Sequence, residues 1–464
     1  MNIDFENVSF SYSGRESGAL KDLNLKIRHG EFVLLVGESG CGKTTITRML
    51  NGLIPGFYNG KLEGTISIDG RTISDYKTYE LASMVGSVFQ NPKTQFFNVD
   101  TDSEITFGLE NAGTPQKKIN AILDKVTEEL DLETLRGKDI FKLSGGEKQK
   151  IAFASVYASG PDLYLMDEPS ANLDSVGIEG LKECLEKIKS EGKTVVIAEH
   201  RLYYLTQLVD RVICLKNGRI EREINGDEFR AISVNSLNHM GLRTNQFFKT
   251  RVKAEKGFRK ITLDEKISLQ DLSIDYGKIR VLNKLNHDFY KGKVCCVTGR
   301  NGVGKSTLLR AMSGFIKGSE GSIEQNGKTL SSKELKKKAF MVMQDVNYQL
   351  FADSVMNECL LGTETKSEDF AEKVLEEFGL LEFRNLHPNT LSGGQKQRLA
   401  IAVSLMMDKE ILLFDEPTSG LDYKNMRLCA NFMKRLSDMN KIIIVVSHDE
   451  EFIDYCSDEI YQLS

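Results

Sequence analysis

Two kinds of apolar pattern alternate along the chain. Short, nearly unbroken apolar runs, EFVLLVG (31–37), DLYLMD (162–167) and TVVIAEH (194–200), return as KVCCVTG (293–299), EILLFD (410–415) and KIIIVVSH (441–448). Runs of this kind suit parallel strands buried on both faces, with helices of 3.6-residue period between them. A β-rich stretch precedes each first run, FENVSFSY from Phe5 and LQDLSIDY from Leu269. Each half therefore reads as an α/β core with an antiparallel β element in front.

The halves are copies of one plan. GESGCGKTT from Gly37 returns as GRNGVGKST from Gly299, LSGGEKQK from Leu143 as LSGGQKQR from Leu391, and YLMDEPSANLD, ending at Asp174, as LLFDEPTSGLD, ending at Asp422. Ser144 to Glu168 and Ser392 to Glu416 are both 24 residues, whereas Lys43 to Ser144 is 101 and Lys305 to Ser392 is 87. A period near 250 residues is too long for a solenoid and marks a duplicated domain. The boundaries expected are a first domain at 1–228, a linker at 229–264 containing the basic stretch KTRVKAEKGFRK, and a second domain at 265–464.

GxxxxGK[ST] between a strand and a helix is a phosphate-binding P-loop. Its glycines let successive backbone N–H groups face phosphate, and the helix N-terminus adds its positive dipole. Lys43 and Lys305 would reach the β- and γ-phosphates, and Thr44 and Ser306 would offer a hydroxyl to Mg²⁺. Each DLYLMDE or EILLFDE run ends on two carboxylates. Asp167 and Asp415 would hold the metal, directly or through water, while Glu168 and Glu416 would polarise the attacking water. LSGG followed by a helix supplies a serine, two glycine N–H groups and a helix N-terminus, a second anion site.

Together these motifs resemble the ATPase subunits of ABC transporters, with two nucleotide-binding domains fused in tandem, over nearly the whole chain except the linker. The resemblance implies two P-loop NTPase domains, each with a parallel-sheet core, an antiparallel β subdomain and a helical subdomain carrying LSGG. In that family the domains pair head to tail, with each ATP between one P-loop and the partner LSGG. One implied site joins Gly37, Glu38, Ser39, Gly40, Cys41, Gly42, Lys43, Thr44, Thr45, Asp167 and Glu168 to Ser392, Gly393 and Gly394. The other joins Gly299, Arg300, Asn301, Gly302, Val303, Gly304, Lys305, Ser306, Thr307, Asp415 and Glu416 to Ser144, Gly145 and Gly146.

Further positions follow from the same resemblance. Tyr12 and Tyr276 match the aromatic that stacks on adenine, Gln90 and Gln344 the glutamine that senses Mg²⁺ and water, His200 and His448 the switch histidine, and Asp174 and Asp422 the aspartate that communicates across the interface. Lys, Asp, Glu and His are present in both halves, so two competent sites are expected. The departures are Glu147, where glutamine (as at Gln395) is usual, and Lys150, where the second half has Arg398.

The segment FQNPKTQFFNVDTDSEITFGLEN from Phe89, and EHRL from Glu199, resemble the energy-coupling-factor branch of importers. There the ATPase pair drives a transmembrane coupling protein and a small substrate-binding membrane protein for vitamins or metal ions. Phe96, Phe97, Leu350 and Phe351 are the candidates for contact with coupling helices; the alternative is that they pack within their own domain. Two other readings stay open: a soluble tandem ABC ATPase acting on the ribosome, and the fused ATPase of a sugar importer, whose second P-loop is usually degraded.

Composition narrows little but excludes much. Hydrophobic residues make up 40% and charged residues 27%, which is ordinary for a globular chain, and the net charge of −5 disfavours a surface that coats nucleic acid. No apolar run approaches a membrane span, and MNIDFENVSF lacks the shape of a secretory signal. The eight cysteines form no CxxC pair and have no histidine at metal-ligand spacing, which fits reduced thiols. A cytoplasmic protein, peripheral on the inner face of the cell membrane, is the expectation.

Overall fold

The computed structural model describes residues 1–14, 18–89, 92–247, 265–363 and 367–463. The chain divides into two compact units, Met1–Phe247 and Phe248–Ser464.

In the first unit a six-stranded sheet runs in the order Arg219–Asn225, Arg211–Lys216, Phe32–Val36, Thr194–Ala198, Leu163–Asp167, Val85–Val88. All its pairings are parallel except that of the outermost Arg219–Asn225 hairpin strand. The apolar runs read from the sequence are thus the central strands. Their residues alternate between two cores, as strand geometry requires. Phe32, Leu34 and Val36 face the helical layer, which includes Gln116–Glu129 and Gly145–Ser159. Val33 and Leu35 face the P-loop helix Lys43–Leu50 and a four-stranded antiparallel sheet ordered Leu20–Ile27, Ile3–Tyr12, Gly60–Ile68, Arg71–Thr72.

The second unit repeats the plan with a five-stranded, all-parallel sheet in the order Ala339–Val342, Ile411–Asp415, Ile442–Val446, Val294–Thr298, Glu459–Gln462. Its antiparallel sheet is ordered Ile279–Tyr290, Lys266–Tyr276, Glu320–Gln325, Lys328–Thr329. The missing residues of the second half come partly from its helical layer. There Val355–Leu360 and Glu368–Glu377 stand for the longer Thr101–Asn111 and Gln116–Glu129. Cys295 and Cys296 are buried on opposite faces of their strand, as adjacent strand residues must be, and all eight cysteines are buried and outside disulfides.

The first unit extends past residue 228. The helix Gly226–Ala231 runs across the expected boundary, Val234–His239 lies wholly within the expected linker, and Phe229, Leu237 and Leu242 are buried in the core beneath the helical layer. Asn245 donates to the Phe229 carbonyl at 2.7 Å, and Thr206 donates to that of Asn245 at 2.6 Å. The basic stretch at 249–260 lies outside the described residues. Phe229→Ala is expected to cost the first unit about 3–5 kcal/mol, the usual loss for emptying a fully buried phenylalanine site. Urea unfolding would read it; a loss below about 1 kcal/mol would return this segment to the linker.

Candidate functional site

Each P-loop turns tightly because its glycines occupy positions no other residue could. Gly37 (φ 143°) and Gly299 (φ 147°) lie where a Cβ would stand 2.2 Å from the Leu215 carbonyl oxygen and 2.4 Å from that of Leu463. Gly40 and Gly302 have φ of 83° with open space around them, so the crest of the loop is clear for a ligand. The helices that follow, Lys43–Leu50 and Lys305–Met312, have no side-chain cap. A helix N-terminus without one keeps its N–H groups for an anion.

The lysines bend back over this turn. Lys43 Nζ donates to the carbonyls of Gly37 (2.8 Å) and Glu38 (3.3 Å), and Lys305 Nζ to those of Gly299 (2.7 Å) and Arg300 (2.9 Å). Both side chains are buried. Glu38, Ser39 and Arg300 are exposed and Asn301 is half-buried, whereas Cys41 is buried and contributes a wall rather than a contact surface.

Thr44 and Ser306 meet the carboxylates predicted to share a metal with them. Burial raises the Asp167 carboxyl to about 6, the Glu168 charge adds to this, and a hydrogen bond from Thr44 and the Lys43 charge oppose it. Asp415 is likewise pushed up by burial, against a hydrogen bond from Ser306 and the charges of Arg310 and Lys305. Asp167 Oδ1 is buried with no hydrogen-bond partner among the described residues. An orphaned acceptor beside a hydroxyl, in a spot that penalises bare negative charge, suits a hard divalent cation, so these residues fit Mg²⁺.

Glu168 and Glu416 both adopt left-handed backbone, φ 48° and 49°, an uncommon conformation for glutamate. One further rung of sheet hydrogen bonding holds each there: Glu168 N–H donates to Ala198 O at 2.8 Å, and Glu416 N–H to Val446 O at 2.9 Å. The turn swings each carboxylate toward the switch histidine. His200 Nε2 lies 3.3 Å from Glu168 Oε1, and His448 Nε2 lies 3.5 Å from Glu416 Oε1 and 3.0 Å from Asn301 Oδ1. The structure thus brings Asn301, His448 and Glu416 of the second unit together.

Ser144 and Ser392 cap their helices with reciprocal pairs. Ser144 N–H donates to Glu147 Oε2 (2.8 Å) while Glu147 N–H donates to Ser144 Oγ (3.3 Å); Ser392 and Gln395 do the same at 2.8 and 3.4 Å. Glu147 therefore substitutes for glutamine without loss of the cap. Burial opposes its charge, but the Ser144 N–H and hydroxyl outweigh this and hold the carboxyl below its ordinary range. Asp174 and Asp422 are buried helix caps, accepting from Gly177 N–H and Asn425 N–H, both at 2.8 Å.

The remaining predicted residues are less uniform. Tyr12 is tied to the P-loop helix, its hydroxyl 3.2 Å from Thr45 Oγ1 and from Arg48 NH1, whereas Tyr276 is 45% exposed. Gln344 is exposed just beyond the C-terminal end of the strand Ala339–Val342, at the same end of the sheet as Asp415 on the neighbouring strand; Gln90 lies outside the described residues. Of the four apolar candidates for docking, Phe97 (76%) and Phe351 (74%) are exposed, Phe96 packs partly on its own core, and Leu350 is buried. The expectation of an outward Leu350 is corrected, because a strand-to-helix loop that turns one side chain out turns its neighbour in.

Three sets of residues escaped the sequence reading. The buried carboxylates of Glu104 and Glu358 pin the aromatic loops, accepting from Phe97 N–H (3.0 Å) and Asn98 N–H (2.8 Å), and from Phe351 N–H (2.8 Å) and Ala352 N–H (2.7 Å). Gln95 and Gln349 brace the same loops, accepting from Phe89 N–H and Met343 N–H. Glu199 accepts from Ser170 N–H (3.2 Å), His200 N–H (2.7 Å), Arg201 N–H (3.1 Å) and the Tyr204 hydroxyl (2.9 Å). Burial and the Glu199 charge hold the Tyr204 hydroxyl protonated far above the ordinary phenol range, so it remains a donor. Glu199 thus ties the loop after Glu168 to His200, a brace the second unit replaces with the shorter Ser447, which accepts from Asp449 N–H. Glu199→Ala should lower turnover at the first site roughly tenfold, the order of a 1–3 kcal/mol penalty for stranded donors, with ATP binding kept. Equal turnover of this variant and the parent in a Glu416→Gln background would disprove the brace.

The chain is similar to known proteins over nearly its whole length. A family model described as ABC transporter matches residues 20–171 and again 282–419. A putative ABC transporter ATP-binding protein of Treponema denticola is 44% identical over 465 residues, spanning 100% of this chain and 95% of that one. A putative HMP/thiamine import ATP-binding protein of Bacillus subtilis is 30% identical, over 99% of this chain and 89% of that one. A crystal structure of an archaeal ribosome recycling factor, bound to a ribosomal stalk protein, superposes with a TM-score of 0.67 at 23% identity. It covers 98% of this chain and 87% of that one, a likeness of fold.

Proposed function

The chain belongs to the ABC transporter family of ATP-binding proteins, and from that premise we propose that it is the energy-coupling ATPase of a membrane importer of the energy-coupling-factor type. ATP hydrolysis is the activity of the family. In the proposed working form the halves pair head to tail. Lys43, Asp167 and Glu168 then work with Ser392, Gly393 and Gly394, and Lys305, Asp415 and Glu416 with Ser144, Gly145 and Gly146. Thr44 and Asp167, or Ser306 and Asp415, would hold Mg²⁺, which would supply neutralisation of the phosphate charge. Lysine and the loop N–H groups orient the triphosphate. The glutamate takes a proton from the attacking water, and the histidine beside it keeps that carboxylate in position. Tyr12 and Tyr276 are proposed to flank adenine, with Gln90 and Gln344 beside the metal. ATP binding favours closure and hydrolysis favours reopening, so the nucleotide biases a two-state element.

The observation that carries the transport reading is the pair of outward aromatics. Phe97 stacks on Phe107 at 4.9 Å along a cleft that Phe89, Glu104 and Val156 also line, and Phe351 is presented likewise by its own pinned loop. A large exposed aromatic held in place by a loop that a buried glutamate anchors offers a preformed apolar contact, which suits the amphipathic helix of a membrane partner. No helix among the described residues is long and apolar enough to cross a membrane. Transport would therefore need a coupling membrane protein and a small solute-binding membrane protein, with this chain on the cytoplasmic face. The B. subtilis relative's name concerns HMP/thiamine import, and a vitamin or metal ion is the solute class proposed here.

Affinity purification of the tagged chain from mildly solubilised cells, read by mass spectrometry, tests this. Two small, very hydrophobic membrane proteins are expected, and Phe97→Ser with Phe351→Ser should release them while ATPase activity persists. Ribosomal proteins and rRNA without a membrane partner would overturn transport and favour a role on the ribosome.

A further inference from the structure

The second unit carries a cluster of potential metal ligands that plays no part in nucleotide chemistry. Cys295, on the strand Val294–Thr298, is the register partner of Glu459 on the neighbouring parallel strand, so both side chains leave the same face of the sheet. His287 reaches that face from the antiparallel sheet, where it pairs with Leu269. Its Nε2 lies 3.8 Å from Cys295 Sγ and 3.5 Å from Glu459 Oε1, and the three ligating atoms all fall within 4.8 Å of one another. Tyr461, two residues beyond Glu459, stacks on the imidazole at 4.0 Å and 15°, and Phe289 meets its edge at 4.7 Å. The ring is therefore held with Nε2 toward the thiol and carboxylate.

The spacing is close to that of a coordination polyhedron. A tetrahedral ion with bonds of about 2.0–2.3 Å needs its ligand atoms roughly 3.3–3.6 Å apart. The two distances to His287 Nε2 require shifts of only a few tenths of an ångström, and the thiol–carboxylate pair, within 4.8 Å, closes by at most about 1.3 Å through rotation of the partly exposed Glu459 side chain. The Glu459 side chain is 30% exposed and that of His287 16%, so water can enter and fill a fourth position.

The duplicated domain supplies its own control. The register pairs Ile3 with Ile27 and Phe5 with Leu25 in the first unit, and Ile267 with Phe289 and Leu269 with His287 in the second, so Leu25 occupies the place of His287. By the same logic Val33 and Arg211 stand where Cys295 and Glu459 do. Leu25 and Val33 are plain core residues, and Arg211 is paired with Glu31 at 2.7 Å and Glu223 at 2.8 Å. The fold is thus satisfied by an apolar pair and an outward ion pair, and it does not itself require thiol, imidazole and carboxylate together. Burial pushes the Cys295 thiol and the Glu459 carboxyl up and His287 down, so each group is held from its charged form. The charges around them, Lys293 and Asp288, are of opposite sign.

We propose that His287, Cys295 and Glu459 form a three-ligand site for a borderline-soft divalent cation of the zinc class, bridging the antiparallel sheet to the last strand of the core. A thiolate–imidazole–carboxylate set selects such an ion over Mg²⁺ or Ca²⁺. The Cys295 thiol gives up its proton on binding, and the ion ties two consecutive strands, whose ligands lie eight residues apart, to the last strand of the core.

The test uses the full chain, untagged, stripped with chelator and free of nucleotide, with Co²⁺ alone as the spectroscopic probe. One ion per chain is expected with a near-ultraviolet thiolate-to-cobalt charge-transfer band, displaced by one equivalent of Zn²⁺ and unaffected by Mg²⁺. Cys295→Ser should abolish the band, and His287→Leu and Glu459→Gln should weaken binding roughly tenfold or more. Should Cys295→Ser not fold, Cys295→Val, which places the first repeat's residue there, takes its role. Absence of the band in the parent, or its persistence in a folded Cys295 variant, overturns the site.

Discussion

Glu168→Gln and Glu416→Gln are each expected to abolish most hydrolysis at their own site while ATP still binds and the closed state accumulates. Glutamine keeps the size and the acceptor oxygen of glutamate but cannot take a proton. The substitution therefore isolates proton transfer, a contribution of about 10²–10⁴-fold in rate. The backbone argues that the carboxylates are placed for work rather than for stability. Both glutamates are in the left-handed region, held there by a single hydrogen bond to the neighbouring strand, and both face a histidine. Backbone strain repeated in both units at one motif position marks a functional residue more strongly than either copy alone. Single-turnover hydrolysis in each variant checks it, and either variant turning over at the parental rate would remove the general-base role there. If one variant stops the whole chain and the other halves it, the sites are coupled unequally.

Much of this was legible in the sequence because the chemistry is local. A P-loop needs its glycines and lysine within nine residues, and parallel strands buried on both faces announce themselves as apolar runs. What could not be read depends on contacts between residues far apart or on positions that break a period. The carboxylates of Glu104 and Glu358 read as ordinary polar helix positions until the chain folds them back onto the aromatic loops. Glu199 looked like part of a motif, yet its partners reach back to Ser170. The helices Gly226–Ala231 and Val234–His239 are six residues each, too short to show a 3.6-residue stripe, and the basic stretch that follows drew the linker boundary back too early. Of the ligands of the proposed cation site, His287 and Cys295 are eight residues apart, but Glu459 joins them from a strand far along the chain, beyond the reach of a spacing rule. The duplication resolved some of this, since wherever one half departs from the other the fold is excluded as the reason.

Lys43→Ala is expected to weaken ATP binding at the first site by about two orders of magnitude and Lys305→Ala to do so at the second. In each unit the ammonium is buried and anchored to two loop carbonyls, which holds its charge across the mouth of the turn before any nucleotide arrives. Preorganisation of this kind removes most of the entropic cost of ordering a lysine, so the phosphate contacts count nearly in full. Two charge-assisted bonds at about 1.5–3 kcal/mol each exceed the roughly 2.7 kcal/mol that a hundredfold loss requires. Removing a buried ammonium also relieves desolvation, and the Gly37 and Glu38 carbonyls it leaves can face water. The variants should therefore melt no lower than the parent without nucleotide, yet lose the stabilisation that ATP gives a chain that binds it only when folded. That divergence separates a phosphate-binding lysine from a structural one. A structural lysine would lower the melting temperature of the empty protein and leave the ATP-induced shift intact. The double variant titrated with nucleotide settles the matter, because two unchanged binding events there would remove both lysines from the phosphate site.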